Sequence, residues 1–226
     1  MSVEDLIKEM NEYYGDRVPF HDEYMSYTDN LSMEKLLGPI IQRVEKDIKG
    51  KDVLEIACGT GNWTQVLSKR ARSVVATDIH EAYLVQAKRK PYQKDNVVFK
   101  VADAYALDGI DRKFNLAFAS DFWSHMPKSK IKSFIKTLHS KLLPGSKVIM
   151  IDIMPRPELD RKFFSHMDEE GNVIQKRILP NGKVYHVVKN FPTKKELVDC
   201  LKDYCITVKH YEDTELLRWV LSYTVS

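Results

Sequence analysis

The sequence predicts an α/β fold in which helices cover both faces of a mostly parallel sheet. From Lys51 onward, short apolar runs of strand length recur along the chain, and amphipathic stretches of helical length separate most of them. Such runs are typical of strands that are buried on both faces and joined by helices. A loop containing two glycines follows the first run directly, as in folds that bind ligands at the ends of their strands.

The core strands are rich in β-branched and aromatic residues, which favour extended structure. We predict strands over residues 53–57, 73–77, 97–101, 114–119 and 147–151. Apolar residues at helical spacing predict helices over 63–70, 82–89 and 128–142. The connection between the third and fourth strands is short and polar, with only a faint helical pattern.

The first fifty residues predict a helical cover at the N-terminus. Ser2 and Ser32 are placed to cap two helices, and Gly15 and Pro19 interrupt the helical pattern between them. The interruption is rich in aromatic residues, which are suited to packing on a ligand. Residues 11–30 are therefore a candidate lid.

Beyond the fifth strand the regular alternation stops. Residues 157–167 predict a helix, and Asn181-Gly182 between two strand-like runs is a strong hairpin signal. The last two strands, over 206–211 and 216–225, are joined by a turn so short that they must pair antiparallel. We predict one domain over residues 1–226, with a cover (1–50), a core (51–154), an inserted helix and hairpin (155–192) and a C-terminal helix with two strands (193–226), that helix capped by Thr193.

Composition excludes several classes of protein. Of the 226 residues, 43% are hydrophobic and 30% charged, which is typical of an ordered globular chain. A net charge of +3 is too small to indicate a nucleic-acid partner. No uncharged apolar run approaches the ~20 residues that span a membrane, and the N-terminus does not resemble a signal peptide. Three cysteines without paired spacing fit a reduced, cytoplasmic protein.

The most informative segment, residues 53–64, joins a strand, a glycine-containing loop and a helix. Gly59 and Gly61 lack side chains, so a ligand can approach the backbone, and the following helix offers free N–H groups. Glu55 is unusual, because a carboxylate within an apolar strand is costly to bury unless a cation pairs with it. Asp78 ends the second strand, where an acid accepts hydrogen bonds from ribose hydroxyls.

The loop differs from that of dinucleotide-binding proteins. Thr64 stands where their fingerprint has its third glycine, and Glu55 would repel a pyrophosphate. A nucleoside with a positive centre and no phosphate fits better. At this point the sequence resembles the class I S-adenosylmethionine-dependent methyltransferases that act on small molecules. The resemblance covers roughly residues 50–155, and it implies a Rossmann-like, seven-stranded sheet ending in an antiparallel strand pair.

The resemblance also implies S-adenosylmethionine as the cofactor. Residues 55–61 match the family's first motif, with Ala57 in place of a commonly seen glycine. Asp103 and its neighbour look like the adenine-binding pair, and residues 120–125 look like the stretch that faces methionine and acceptor. The predicted cofactor-binding residues are Glu55, Ala57, Gly59, Gly61, Asp78, Ile79, Asp103, Ala104, Ser120 and Tyr14.

Trp123 and Tyr24 are the predicted contacts to the methyl acceptor. His125 is the candidate catalytic residue, since a histidine there could accept a proton. The alternative is a histidine that is simply bonded to the loop backbone. Asp121, Asp152 and His125 lack a further ligand, so no metal site is predicted.

The predicted function is methyl transfer from S-adenosylmethionine to a small-molecule acceptor, with release of S-adenosylhomocysteine. Two alternatives remain open at this point: a non-catalytic subunit that binds the cofactor, and an NAD-dependent oxidoreductase. The expected partner is the acceptor alone, without nucleic acid or membrane, in a monomer or homodimer.

Overall fold

The computed structural model describes residues 2–21, 30–93 and 95–226. Tyr24, a predicted acceptor contact, lies outside them. The strands are β1 Asp52–Ile56, β2 Ser73–Asp78, β3 Val97–Val101, β4 Phe114–Ser120, β5 Leu142–Ile153, β6 Phe164–Met167, β7 Val173–Ile178, β8 Val184–Val188, β9 Cys205–Asp213 and β10 Arg218–Val225. The α-helices are α1 Val3–Arg17, α2 Asn30–Ile48, α3 Asn62–Arg70, α4 Glu81–Lys88, α5 Ile131–Ser140, α6 Pro157–Phe163 and α7 Lys194–Leu201.

Seven strands form one sheet in the order β3-β2-β1-β4-β5-β10-β9. The five strands from β3 to β5 pair in parallel, and β10 lies antiparallel between β5 and β9. This confirms the predicted Rossmann-like sheet with its C-terminal antiparallel pair. The strand order reverses between β1 and β4, so the connections leave on opposite sides. A crevice opens at such a point, beyond the carboxyl ends of the strands.

Apolar residues cover both faces of this sheet. One face packs on α5 and α7 through a cluster that includes Phe134, Leu138 and Leu197. The other packs on α2 and α3, where Ile40 and Leu67 are fully buried. Burial on both faces explains the runs of apolar residues within β1, β2 and β4. The carboxylates of Glu55 and Asp78, which are buried among these apolar residues, are therefore unusual.

A second, antiparallel sheet contains β6, β7 and β8 and lies within the inserted segment. Helix α1 packs on it through a separate apolar cluster, in which Leu6, Met10 and Tyr13 meet Val187 and Val188. Ser2 caps α1, and its side chain accepts a hydrogen bond from the backbone N–H of Asp5. The N-terminal helix and the inserted sheet therefore form one layer.

Two asparagines tie this layer to the loop after β4. Asn190 accepts a hydrogen bond from the N–H of Val173, and its amide donates to Asn172 and to the carbonyl of Met126. Asn190 N–H also donates to the carbonyl of Ser124. The side chain of Asn172 accepts from the N–H of Lys128. These bonds hold the inserted sheet beside the crevice.

Several sequence-based boundaries need correction. Helix α1 continues through Gly15 to Arg17, and α2 begins before Ser32 and contains Pro39. The helix predicted over 157–167 ends at Phe163, because the next four residues form strand β6, which pairs with β7. The hairpin around Asn181-Gly182 and the cap at Thr193 are confirmed. None of the helices in the described ranges is long and apolar enough to cross a membrane.

Candidate active site

A cavity of about 520 Å³ lies in the crevice, where the ends of β1, β2 and β4 meet α1 and the inserted sheet. This volume lies within the ~300–1,000 Å³ of small-molecule sites. A smaller cavity of about 80 Å³ shares part of its wall. The predicted residues that line the larger cavity are Tyr14, Glu55, Ala57, Gly59, Asp78, Ile79, Ser120 and His125. Asp103 and Ala104 line the smaller one.

The two glycines of the loop have different roles. Gly59 has a φ of +55°, and a Cβ atom there would lie 3.5 Å from Nε2 of His21, which lines the cavity. Gly61 has a φ of +81°, but its Cβ would lie 2.7 Å from the hydroxyl of Tyr92 and 3.0 Å from Cβ of Ala87. Gly59 keeps the cavity wall open, whereas Gly61 lets the loop pack against α4.

Glu55 is almost completely buried at the end of β1 and lines the cavity. Its carboxylate accepts a hydrogen bond of 2.6 Å from the hydroxyl of Thr64, the residue that breaks the dinucleotide fingerprint. Burial, and to a smaller extent Asp78, raise the pKa of Glu55 to about 8. A buried acid beside a cavity is suited to a positively charged ligand, which restores its ionised form.

Asp78 connects the two loops on either side of the crevice. Its Oδ2 accepts from the N–H of Gly59 at 2.9 Å, and its Oδ1 accepts from the N–H of His80 at 3.0 Å. Each carboxylate oxygen can accept more than one hydrogen bond, so capacity remains for ribose hydroxyls. Asp78 thus shapes the glycine loop as well as facing the cavity.

Two of the four non-glycine residues with positive φ in the described chain lie at the same place. Ala57 and Asp121 follow β1 and β4 directly, line the cavity and have φ values of +52° and +55°. Non-glycine residues adopt this conformation at a cost of roughly 1–3 kcal/mol, and such residues cluster at functional sites. The left-handed backbone at Ala57 would also suit glycine, the residue that the resemblance noted above gives as common at this position.

His125 is hydrogen-bonded to the backbone, which is the alternative that the sequence left open. Its Nδ1 lies 2.8 Å from the carbonyl of Val188, and a carbonyl only accepts, so Nδ1 carries the proton. Nε2 is then the acceptor, and it lies 3.2 Å from Nζ of Lys189. Burial, followed by the charges of Lys189 and Arg177, lowers the pKa of His125 well below its ordinary value. The imidazole is neutral, and its lone pair already accepts a hydrogen bond.

Lys189 is a site residue that sequence reasoning missed. It is 6% exposed at the end of β8, lines the cavity and donates to the hydroxyl of Ser124 at 2.7 Å. Ser124 in turn donates to the buried carboxylate of Asp152. Burial lowers the pKa of Lys189 to about 8. The only signal in the sequence is a Lys-Asn pair directly after an apolar strand, within the inserted segment predicted over residues 155–192.

The aromatic predictions have mixed outcomes. Tyr14 lies in the cavity wall with its ring centroid 5.4 Å from that of His125. Trp123 lines neither cavity, because its indole packs in the core on the α5 side of the sheet, and its neighbour Phe122 takes the place in the wall. No cluster in the described part of the chain could hold a metal ion.

Comparison with known proteins finds similarity to methyltransferases. Residues 53–145 match the model of a methyltransferase domain. The chain is 31% identical to the demethylmenaquinone methyltransferase of Staphylococcus aureus (strain MRSA252) over 117 residues. The aligned region covers 49% of this chain and 48% of that protein. A ubiquinone biosynthesis O-methyltransferase of Coxiella burnetii (strain Dugway 5J108-111) is 26% identical over 52% of this chain and 51% of that protein. The chain therefore aligns with only about half the length of these curated relatives.

A solved structure aligns with the whole chain. The DhpI-SAM-HEP complex matches it with a TM-score of 0.79 and 26% identity, covering 100% of both chains. Together with the sheet order, these matches support a class I S-adenosylmethionine-dependent methyltransferase. They confirm the prediction made from the sequence, including S-adenosylmethionine as the cofactor, and they favour it over the NAD-dependent oxidoreductase.

Proposed function

We propose that this chain transfers the methyl group of S-adenosylmethionine to a small-molecule acceptor. The observation that carries the proposal is that one cavity extends from the glycine loop to the inserted sheet. Glu55 and Asp78 line it next to the glycine loop, and it is lined next to the inserted sheet by Tyr14, His125 and Lys189. Cofactor and acceptor can therefore lie in contact. The region around Glu55 and Asp78 is called the cofactor end below, and the region next to the inserted sheet the acceptor end.

The protein's contribution is positioning and electrostatics. Bound S-adenosylmethionine supplies an activated methyl group: the acceptor's lone pair forms the new bond while the carbon–sulfur bond breaks, its electron pair staying on sulfur. Glu55 is placed to stabilise positive charge on the ligand, and Asp78 to bind ribose. The layer made by α1 and the inserted sheet excludes water and holds the acceptor in line. His125 is close enough to influence the acceptor, but its Nε2 must first lose the hydrogen bond from Lys189.

The test combines binding and turnover. Calorimetry should show one site for S-adenosylmethionine, and an assay for S-adenosylhomocysteine with a library of small metabolites should show acceptor-dependent product. Binding without product across the library would favour the non-catalytic subunit. Absence of binding would contradict the cofactor site itself.

A further inference from the structure

The acceptor end of the cavity is strongly basic. In the described part of the chain, five Arg and Lys side chains line it: Arg17, Arg156, Arg177, Lys189 and Arg218. Two carboxylates in the described wall lie at the same end, Asp121 and Asp160, and Asp121 forms an ion pair with Arg218. The other acids of the wall, Glu55 and Asp78, belong to the cofactor end. Among the described residues of the wall, basic side chains therefore outnumber carboxylates at the acceptor end.

Lys189 has donor capacity left over. An ammonium group has three N–H donors. Two of them bond to neutral groups, the hydroxyl of Ser124 at 2.7 Å and Nε2 of His125 at 3.2 Å. No carboxylate of the described chain lies within ion-pair distance of its Nζ, and Asp152 is reached only through Ser124. A buried cation in this setting is stabilised by an anionic ligand.

Arg177, on β7 of the same inserted sheet, has similar surroundings. One of its guanidinium nitrogens donates to the side-chain oxygen of Gln175 at 2.6 Å, and the group lies 4.5 Å from the ring centroid of Phe163. Both partners are neutral. The planar guanidinium has five N–H donors, arranged in a geometry that matches oxyanions.

The two cations also act on each other. Burial is the main cause of the lowered pKa of Lys189, and the charge of Arg177 lowers it further, against the opposite effects of Asp152 and Asp121. Burial likewise lowers the pKa of Arg177. An anion placed between the two groups would remove this repulsion and pair with both.

We propose that the methyl acceptor carries an oxyanion, and that Lys189 and Arg177 of the inserted sheet bind it together. The proposal rests on the proposed function, because it names the chemical class of the acceptor for that same cavity. A charge-assisted hydrogen bond from each residue would hold the acceptor by its acidic group, at the opposite end of the cavity from Glu55. A cationic acceptor is disfavoured by the same charges.

The binding test uses simple anions as probes. Protein saturated with S-adenosylhomocysteine is titrated with inorganic phosphate, with sulfate and with acetate, which separates tetrahedral from planar oxyanions. We expect one anion site, weakened at least tenfold by Arg177→Gln and by Lys189→Met. Lys176→Gln is the matched control, because Lys176 adjoins Arg177 on β7 but is exposed and lines no part of either cavity. It should bind anions as the unaltered protein does.

A second measurement keeps the two proposals distinguishable. Affinity for S-adenosylhomocysteine should stay within twofold in all three variants, because Lys189 and Arg177 lie at the acceptor end. If the unaltered protein does not bind S-adenosylhomocysteine, the proposed function is contradicted. The anion affinities are then measured on the ligand-free protein. The anionic acceptor is contradicted if no probe binds, if both variants bind as well as Lys176→Gln, or if the methylated product is formed only from cationic acceptors.

Discussion

The cofactor end and the acceptor end of the cavity are built in different ways. At the cofactor end, the parallel strands position Glu55, Gly59 and Asp78, which lie at or just after the carboxyl ends of β1 and β2. The strand order alone brings these positions together at one edge of the sheet. At the acceptor end, Arg177 and Lys189 come from an antiparallel insertion. Their position depends on the register of β7 with β8 and on how that sheet docks beside β4. The first arrangement follows from strand order, and the second requires the three-dimensional packing.

Charge separates the two ends as well. The cofactor end contains a buried acid, and the acceptor end contains two cations, Lys189 and Arg177, whose hydrogen-bond partners in the described chain are neutral. One cavity therefore offers opposite charges to its two ligands. This difference predicts that substitutions at one end alter cofactor affinity, and that those at the other alter acceptor use.

The largest effect is expected from Gly59→Val. A branched side chain at a φ of +55° would occupy the space between the loop and His21, so cofactor affinity should fall more than a hundredfold. Gly50→Val is the control, since Gly50 also has a positive φ (+72°) but nothing lies within 4 Å of its added Cβ. Both variants are checked by circular dichroism and calorimetry. A folded Gly59→Val protein with normal affinity would show that this glycine is only structural.

Glu55→Gln should cost about 2–5 kcal/mol of cofactor binding, because it removes the acid that faces the cationic ligand while keeping the shape of the side chain. Affinity of the unaltered protein should rise with pH up to about 8, where Glu55 ionises without ligand, and then level off. The variant should lack this rise. Calorimetry between pH 6 and 9 measures both, and an equal rise in the two proteins would assign it to another group.

The same pKa predicts how ligand-free stability depends on pH. The folded-state pKa of Glu55 is raised from 4.5 to about 8, so the unfolded chain releases this proton first. The contribution of Glu55 to the free energy of unfolding therefore falls as pH rises from about 4.5 to about 8. Thermal unfolding of Glu55→Gln should lack that decrease. If both proteins lose stability equally over this range, Glu55 is already ionised in the folded state.

Asp78→Ala should weaken S-adenosylmethionine binding by about 1–3 kcal/mol, the loss expected for charge-assisted hydrogen bonds to ribose. Asp52→Ala is the matched control, because Asp52 begins β1 at the opposite edge of the sheet and bonds to Arg72 and Ser73. It should leave affinity unchanged. Equal affinity of the Asp78 variant and the control would contradict the ribose assignment.

The smallest effect is expected from His125→Asn. Asparagine can still donate to the carbonyl of Val188, and cofactor affinity should change less than twofold. Because Nε2 of His125 accepts from Lys189, we expect turnover to fall less than tenfold. General bases contribute about 10²–10⁴ to rates, so a loss of a hundredfold or more in kcat would instead identify His125 as the proton acceptor.

Much of the core was predictable because burial restricts its sequence. Strands β1 to β4 agree with the predicted runs to within one residue at each end. Burial between layers of helices accounts for β1, β2 and β4, whereas the edge strand β3 is marked by its β-branched and aromatic residues. Strand β6 was not predictable. All four of its residues are exposed, so no alternation marks it, and its pairing depends on the free edge that β7 offers.

The loop after β4 shows a second limit of sequence reasoning. Its turn of 3₁₀-helix directs neighbouring side chains differently: Trp123 packs in the core, Ser124 bonds to Asp152, and His125 lines the cavity. No periodicity distinguishes such residues in advance. A lysine at the end of a short strand, such as Lys189, likewise reads as solvent-exposed until the packing of the inserted sheet is known.

The asparagine bonds that dock the inserted sheet have a consequence for how this protein can evolve. On the side of the loop after β4, Asn172 and Asn190 bond to backbone atoms of Ser124, Met126 and Lys128. Mutation of the loop side chains therefore leaves these partners in place. The side chains at the acceptor end can therefore change, and with them the preference for a methyl acceptor, while the hydrogen bonds that attach the inserted sheet to the loop are retained.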